Sequence, residues 1–224
     1  MENQNKIKII YDGDFGTDTF RIDYYIKQKQ ISPWKHIPYK NNDGTYNAII
    51  EIPRWTREKM EMIKNDPYNS IKQDKKDGQL RYFKYGPIPF NYGFIPQTWE
   101  DPGKKDKHTG YPGDDDPIDI VEISNLQIQY GKKTKIKVLG VLEMVDDNET
   151  DWKVIVVSDK NPNFENINKL KDVSKSKLDL IIKWFKYYKK ADGKVTKIGK
   201  YSNKKKAENI IEDTYKQFLL REKL

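Results

Sequence analysis

Asp114, Asp115, Asp116 and Asp119 place four carboxylates within six positions, and Glu122 lies three further on. Carboxylates this close repel one another and hold protons more tightly unless cations or basic side chains compensate. The chain has no Cys and 2 His, so the available donors are oxygen atoms. An oxygen-only set suits a hard divalent cation, Mg²⁺ first, with Mn²⁺ as a substitute. An EF-hand loop counted from Asp114 would need an oxygen ligand, a Gly and a Glu where Ile118, Asp119 and Asn125 stand, so that reading fails. A solvated acidic turn is the plainer alternative. Against it, Pro117-Ile118-Asp119-Ile120-Val121-Glu122 carries Asp119 into an apolar strand, which a solvated turn does not require.

Further charged groups stand at intervals. Asp146 opens a second acidic stretch that ends at Asp151, and Lys153 follows two residues later. In extended chain Asp151 and Lys153 share one face, where they would hold a metal beside a phosphate or form an incidental surface ion pair. Glu51 interrupts an apolar run, and a lone buried carboxylate is costly. Lys59 and Glu61 repeat the two-residue spacing, Arg81 follows Leu80, and Tyr188-Lys189 closes a helical pattern. Lys189 alone would also suit a helix C-terminus as a simple cation. A carboxylate beside a Lys on one face can place a cation and a phosphate next to each other.

These residues need strands to carry them. Segments rich in Ile, Val and aromatics, bounded by Gly, Pro, Asn or Asp, predict strands from Tyr46 to Ile52, Leu80 to Tyr85, Ile118 to Ser124, Thr134 to Val145 and Trp152 to Ser158. The last two read as a hairpin with an acidic loop. Asn65 to Gly78 reads as loop or turn, and Asp101 to Gly113 as an exposed loop. Leu178, Ile181, Ile182, Phe185 and Tyr188 recur at helical spacing, as do Ala207, Ile210, Ile211, Tyr215, Phe218 and Leu219. Ser174 or Ser176 would cap the first helix, Asp192-Gly193 would end it, and Ser202 would start the second. Strands followed by helices indicate the α+β class. The expected architecture is a small closed antiparallel β-barrel, OB-like, with helices packed outside, mainly from the C-terminal third. Residues 1–224 are expected to be one domain: N-terminal strands or extension over 1–45, barrel over 46–160, helical part over 161–224.

Composition narrows the partners. The net charge of +8 fits phosphorylated small molecules, nucleic acid or anionic membranes, and equally a Lys-solvated surface. No apolar run approaches membrane-spanning length, and zero Cys fits a reducing compartment, so cytoplasmic residence is expected. A basic OB-like module binding single-stranded nucleic acid is the alternative function. The four Asp at 114–119 oppose it, because they repel a phosphate backbone.

The segment Asp114-Asp115-Asp116-Pro117-Ile118-Asp119-Ile120 resembles the Asp-x-Asp-Pro-hydrophobic-Asp-hydrophobic motif of the family I soluble inorganic pyrophosphatases of the eukaryotic type. Glu51-Ile-Pro-Arg-Trp-Thr56, Asn91-Tyr-Gly, Pro96-Gln-Thr-Trp-Glu-Asp101, Glu149-Thr-Asp-Trp-Lys153 and Asp192-Gly-Lys194 match in the same order, and the resemblance covers roughly residues 45 to 220. It implies a homodimeric hydrolase of pyrophosphate using several Mg²⁺ ions. Asp114, Asp119 and Asp151 are implied ligands of the metals that hold the attacking water, and Asp116 the base that takes its proton. Asp146 and Glu61 are implied ligands of metals arriving with substrate, with Glu51 a supporting acid. Lys59, Arg81, Tyr188 and Lys189 are the implied phosphate-binding set. Lys153 matches a further phosphate contact, and Tyr92 a tyrosine beside the nucleophilic water. Between Arg81 and Tyr92 the chain is about four residues shorter than fungal relatives, and Ile88 stands near the place of their second active-site tyrosine. Asp115 occupies the variable position. Arg54 and Trp55 lie in the stretch that forms part of the subunit contact in related enzymes.

Overall fold

The computed structural model describes residues 6–194 and 196–223. Two sheets carry most of the chain. The first joins β1 (Ile7–Asp12), β2 (Arg21–Ile26), β6 (Ile71–Gln73) and β5 (Met60–Met62) in that order, with β3 (Lys29–Ile31) on β2. The second contains β4 (Tyr46–Ile52), β9 (Asn91–Phe94), β10 (Asp119–Glu122), β11 (Lys133–Asp146), β12 (Glu149–Thr150), β13 (Lys153–Ser158) and β14 (Lys197–Asn203). A small hairpin joins β7 (Lys75–Lys76) to β8 (Gln79–Leu80). Helices α1 (Lys175–Tyr187) and α2 (Lys204–Arg221) complete an α+β arrangement. Among the described residues no helix is long and apolar enough to cross a membrane.

In the second sheet, pairing runs from β4 to β9, β10, β13 and β11, and β11 pairs again with β4. Four of these five pairings are antiparallel, but β10 and β13 are parallel. The expectation of a wholly antiparallel set is corrected here. The cause is topological: β11, the element between them in the chain, lies on the far side of β13, so the chain re-enters in the direction of β10. The parallel pair is covered on both faces, as such pairs require. Ile120, Val154 and Val156 pack with Ala207, Ile210 and Ile211 of α2, while Val121 and Ile155 join the cluster containing Trp184 and Phe185 of α1. This explains why β13 reads Lys-Val-Ile-Val-Val-Ser with every residue buried instead of alternating.

Other boundaries moved for local reasons. The strand expected from Leu80 to Tyr85 is Gln79–Leu80, because β8 pairs only with two-residue β7. The segment 65–78, read as loop or turn, contains β6 and β7. The part expected to be helical contains β14, which lies along β11. Gly140 permits that approach, since a Cβ there would collide with the Ser202 carbonyl. The hairpin turn between β11 and β12 uses Asp147 and Asn148 at φ 50° and 68°, the left-handed pair favoured in tight hairpins. Ser174 is the N-cap of α1 without a side-chain cap bond. The cap of α2 is Asn203, not Ser202, and its side chain accepts from Lys206 N at 3.0 Å.

Candidate active site

All thirteen residues singled out in the sequence for catalysis, metal, phosphate or support line one cleft of about 960 Å³. Their floor is the start of the parallel pair. Asp119 of β10 and Lys153 of β13 are register partners, and Tyr92 of β9 lies on the adjoining strand. The Lys153 ammonium, 2% exposed, donates to Asp119 Oδ2 at 2.6 Å, to Tyr92 Oη at 3.0 Å and to Asp151 Oδ1. The Tyr92 hydroxyl donates to the same Asp119 oxygen. Burial pulls the Lys153 ammonium toward neutrality, but Asp119 and Asp151 outweigh it and hold it charged. Burial pushes the Asp119 carboxyl up to about 7, with Lys153 pulling it down and Asp151 pushing it up.

The acidic turn sits above this floor. Asp115 adopts φ 67°, a left-handed conformation that Asp tolerates. Asp116 N donates to Asp114 Oδ1 at 3.0 Å, which folds the turn on itself. Two residues outside the sequence-derived set hold it. Lys64 Nζ reaches Asp115 Oδ2 at 2.8 Å and Asp116 Oδ1 at 2.9 Å. Trp99 Nε1 donates to Asp115 Oδ1 at 2.8 Å. Asp115, at the variable motif position, is therefore the anchor of the turn. Asp114 is pushed well above the ordinary carboxylate range, first by burial and then by Asp151, Asp116 and Asp119.

Glu51 is buried beneath the turn and accepts from Met62 N at 2.6 Å. Burial, then Asp119, raise its carboxyl well above the usual range. On the far wall, Tyr188 and Lys189 follow the last turn of α1 and meet Asp146 at the end of β11. The Tyr188 hydroxyl donates to Asp146 Oδ2 at 3.1 Å, and Lys189 pairs with the same oxygen. On the third side, Lys59 pairs with Glu61 and lies 3.3 Å from Asp74, which also pairs with Arg81. Asp74, absent from the sequence-derived set, thus joins two of its cations. Ile88 is fully buried and lines the cleft.

The donor chemistry suits a hard cation. Glu100, Asp114 and Asp151 each offer a carboxylate oxygen within 4.8 Å of the others. Two buried carboxylate oxygens, Glu100 Oε2 and Asp146 Oδ1, have no hydrogen-bond partner among the described residues. A buried carboxylate oxygen left without a partner costs desolvation that a cation would offset. Glu100 was missed as a site residue, although it lies inside the matched stretch Pro96 to Asp101; an acid directly after Trp99 was the available signal.

Comparison with known proteins gives the family. The Pyrophosphatase family model, described as inorganic pyrophosphatase, matches residues 48–219, which include every residue of the predicted site. Bovine inorganic pyrophosphatase is 42% identical over 212 residues, covering 88% of this chain and 73% of the bovine one. The chain belongs to the inorganic pyrophosphatase family. Among solved pyrophosphatases, the N-terminal-domain-truncated vacuolar soluble form of Trypanosoma cruzi, crystallised in complex with PPi, superposes with a TM-score of 0.94 at 36% identity, over 99% of this chain and 93% of that one. Type I inorganic pyrophosphatase of Plasmodium falciparum superposes with a TM-score of 0.90 at 36% identity, over 98% and 74%.

Proposed function

We propose that this chain hydrolyses inorganic pyrophosphate to two orthophosphates. The observation that carries the reading is the internal pairing of the cleft. Lys59 faces Glu61, Lys189 faces Asp146, and Lys153 faces Asp119 and Asp151. Each pair joins an ammonium suited to a phosphate oxygen and a carboxylate suited to a cation. A pyrophosphate accompanied by divalent cations replaces each pairing by two opposite-charge pairings, ammonium with phosphate and carboxylate with cation, so the polyanion enters without leaving a buried charge unpartnered.

The residues that would hold the cations are Asp114, Asp119 and Asp151 on one side and Asp146 and Glu61 on the other, with Mg²⁺ the best match to an all-oxygen set. When bound, such ions neutralise phosphate charge and make a bound water more acidic. The chain's own groups do the rest. Lys59, Arg81, Tyr188 and Lys189 hold the phosphate oxygens, and Lys153, set between Asp119 and Asp151, is a further phosphate contact beside the cations. Asp116, half-exposed on the turn, accepts the proton of the water that attacks phosphorus in line. As the new P–O bond forms, the bridging P–O bond breaks and its electron pair leaves with the second orthophosphate, whose charge the basic set stabilises. Tyr92 fixes Asp119, and Glu51 braces the strand beside it.

We also read the circuit from β4 through β9, β10, β13 and β11 as a small closed barrel within one domain, and the protein as a cytoplasmic homodimer. Its contact would include Trp55, 56% exposed, with the Arg54 guanidinium 4.9 Å from its ring, and the neighbouring Phe15, Tyr82 and Tyr130. The direct test is phosphate release from pyrophosphate. Activity is expected with Mg²⁺, loss with excess chelator, and inhibition by Ca²⁺, which is larger and takes looser coordination. Full activity in chelator would reject the metal-dependent reading.

A further inference from the structure

Two cations outside the cleft converge on one neutral side chain. Arg54 Nη1 donates to Asn125 Oδ1 at 3.1 Å, and Lys177 Nζ donates to the same oxygen at 3.0 Å. The charges therefore lie no farther apart than those two bonds laid end to end. Arg54 stands in the turn after β4, Lys177 in the first turn of α1, and Asn125 just beyond β10. Further contacts fix them there. Arg54 N donates to Asn91 Oδ1 at 3.0 Å, Gln127 Nε2 donates to Arg54 O at 2.6 Å, and the Trp55 ring lies 4.9 Å from the guanidinium. Lys177 Nζ also donates to Ile123 O at 2.6 Å.

These contacts orient both cations without neutralising either. Every acceptor the two side chains meet among the described residues is a carbonyl or amide oxygen. Glu122, the acid whose charge reaches Lys177, is fully buried and gives its oxygens to Asn91 Nδ2, to Ser124 and to Ser158 N. Burial, then Arg54, lower the Lys177 ammonium below its ordinary value, as for a cation lacking a counter-charge. The first turn of α1 contains no acid, so the positive end of the helix adds to the same field. Donors remain to spare. Arg54 Nε is buried without a partner, and among the described residues only Nη1 of its fork makes hydrogen bonds. Like charges this close repel unless an anion offsets them. One negative charge would balance one cation; an oxyanion with two charges and several acceptor oxygens balances both.

We propose that Arg54, Lys177 and Asn125 form a binding site for a doubly charged tetrahedral oxyanion, inorganic phosphate above all. None of the three lines the catalytic cleft. The site caps the end of β10 opposite Asp119, since Asn125 follows Glu122 by three positions. The assignment stands on these contacts and not on the hydrolysis reading. Where that reading holds, the ligand is the reaction's own product.

The test is calorimetric titration of the full chain with inorganic phosphate in excess chelator, where no divalent cation accompanies phosphate into the cleft. One saturable site is expected, with sulfate competing and acetate not. Lys177→Met keeps the length of the side chain and removes its charge, and affinity is expected to fall about tenfold to a hundredfold, the range for one charge-assisted bond. Asn125→Asp supplies both cations with a carboxylate of the same shape as the amide. It is expected to abolish phosphate binding and to raise the thermal midpoint of the phosphate-free protein. Lys189→Met, in the cleft, is expected to leave this affinity unchanged. Phosphate release from pyrophosphate at low product is expected to be unaltered in Lys177→Met, so this proposal and the hydrolysis reading fail separately. Three outcomes overturn the proposal: no saturable binding up to about 10 mM phosphate, affinity within about twofold of the unaltered protein in a folded Lys177→Met, or retained affinity in Asn125→Asp. Light scattering on the same samples reads assembly, because Arg54 adjoins the proposed subunit contact. Affinity that is lost only together with a change of mass also overturns it.

Discussion

Lys153 Nζ lies 2.6 Å from Oδ2 of Asp119, its register partner across the parallel pair β10–β13. The ammonium is nearly closed to solvent and also holds Asp151, so one cation balances two acids at the base of the cleft. Removing one member of such a buried set leaves the others uncompensated, a cost of about 3–5 kcal/mol. Lys153→Met is expected to lose stability of that order in urea denaturation with chelator present. Saturating Mg²⁺ is expected to restore part of it, because the ion takes over the compensation. A variant as stable as the unaltered protein in chelator would show that the set contributes little.

The base is separable from its neighbour. Asp116→Asn keeps size and shape and removes basicity, so kcat is expected to fall by about 10²–10⁴ with KM little changed. Asp115→Asn leaves the base in place but weakens the contact with Lys64 and changes the partner of Trp99. It is expected to cost less activity than Asp116→Asn while lowering the thermal midpoint. Steady-state kinetics and melting of the two variants check this. The reverse ranking in kcat would shift the roles along the turn.

The metal-free protein is expected to become less stable as pH rises from 5 to 7. In the unfolded chain Asp119 ionises near its ordinary value of 3.8, whereas burial holds its proton to about 7 in the folded chain. Between those values the folded state binds more protons, so stability declines with rising pH and levels off above about 7. Asp114, Glu51 and Glu100 are shifted in the same direction, chiefly by burial. Saturating Mg²⁺ is expected to flatten or reverse the trend, since the ion favours ionised carboxylates. Melting curves at several pH values, with chelator and with Mg²⁺, are the measurement; a metal-free midpoint rising from pH 5 to 7 would contradict it.

Assembly has its own readout. Light scattering is expected to give twice the 26.6 kDa chain mass. Trp55→Asp places a charge on the exposed aromatic face and is expected to shift the mass toward one chain. One chain's mass for the unaltered protein would remove this face as a subunit contact.

The site was legible because its chemistry is concentrated in short motifs. The Asp114–Asp119 run marks a candidate cation site before any fold is known, whereas the Asp151/Lys153 spacing also fits an incidental ion pair and takes its expected role from the family resemblance. The supports were not legible. Lys64 acts on a turn 51 positions away, and Asp74 joins Lys59 and Arg81, 15 and 7 positions away, with nothing in their local spacing to mark them. The long strand β11 and both helices have strong periodicity, whereas β5 to β8 are two or three residues long, too short for a pattern, and the β7–β8 hairpin is marked only by its Asp77-Gly78 turn. The parallel orientation of β10 and β13 follows from where β11 lies, which no local pattern encodes.

The second pairing of β11 has a kinetic consequence. Its first residues, Lys133 to Ile136, bond back to Tyr46–Ile49 of β4 across more than eighty positions of chain. Closing so long a loop loses entropy before the contact repays it, and topologies dominated by such contacts fold slowly. The carboxylates meet only after that closure, because Glu51 lies on β4 while Asp146 and Asp151 lie at and beyond the other end of β11. A nascent chain released before residue 153 therefore lacks the ammonium that pairs with Asp119 and Asp151. Refolding that is accelerated by Mg²⁺ late in the reaction, and not in its first phase, is the behaviour this order of assembly dictates.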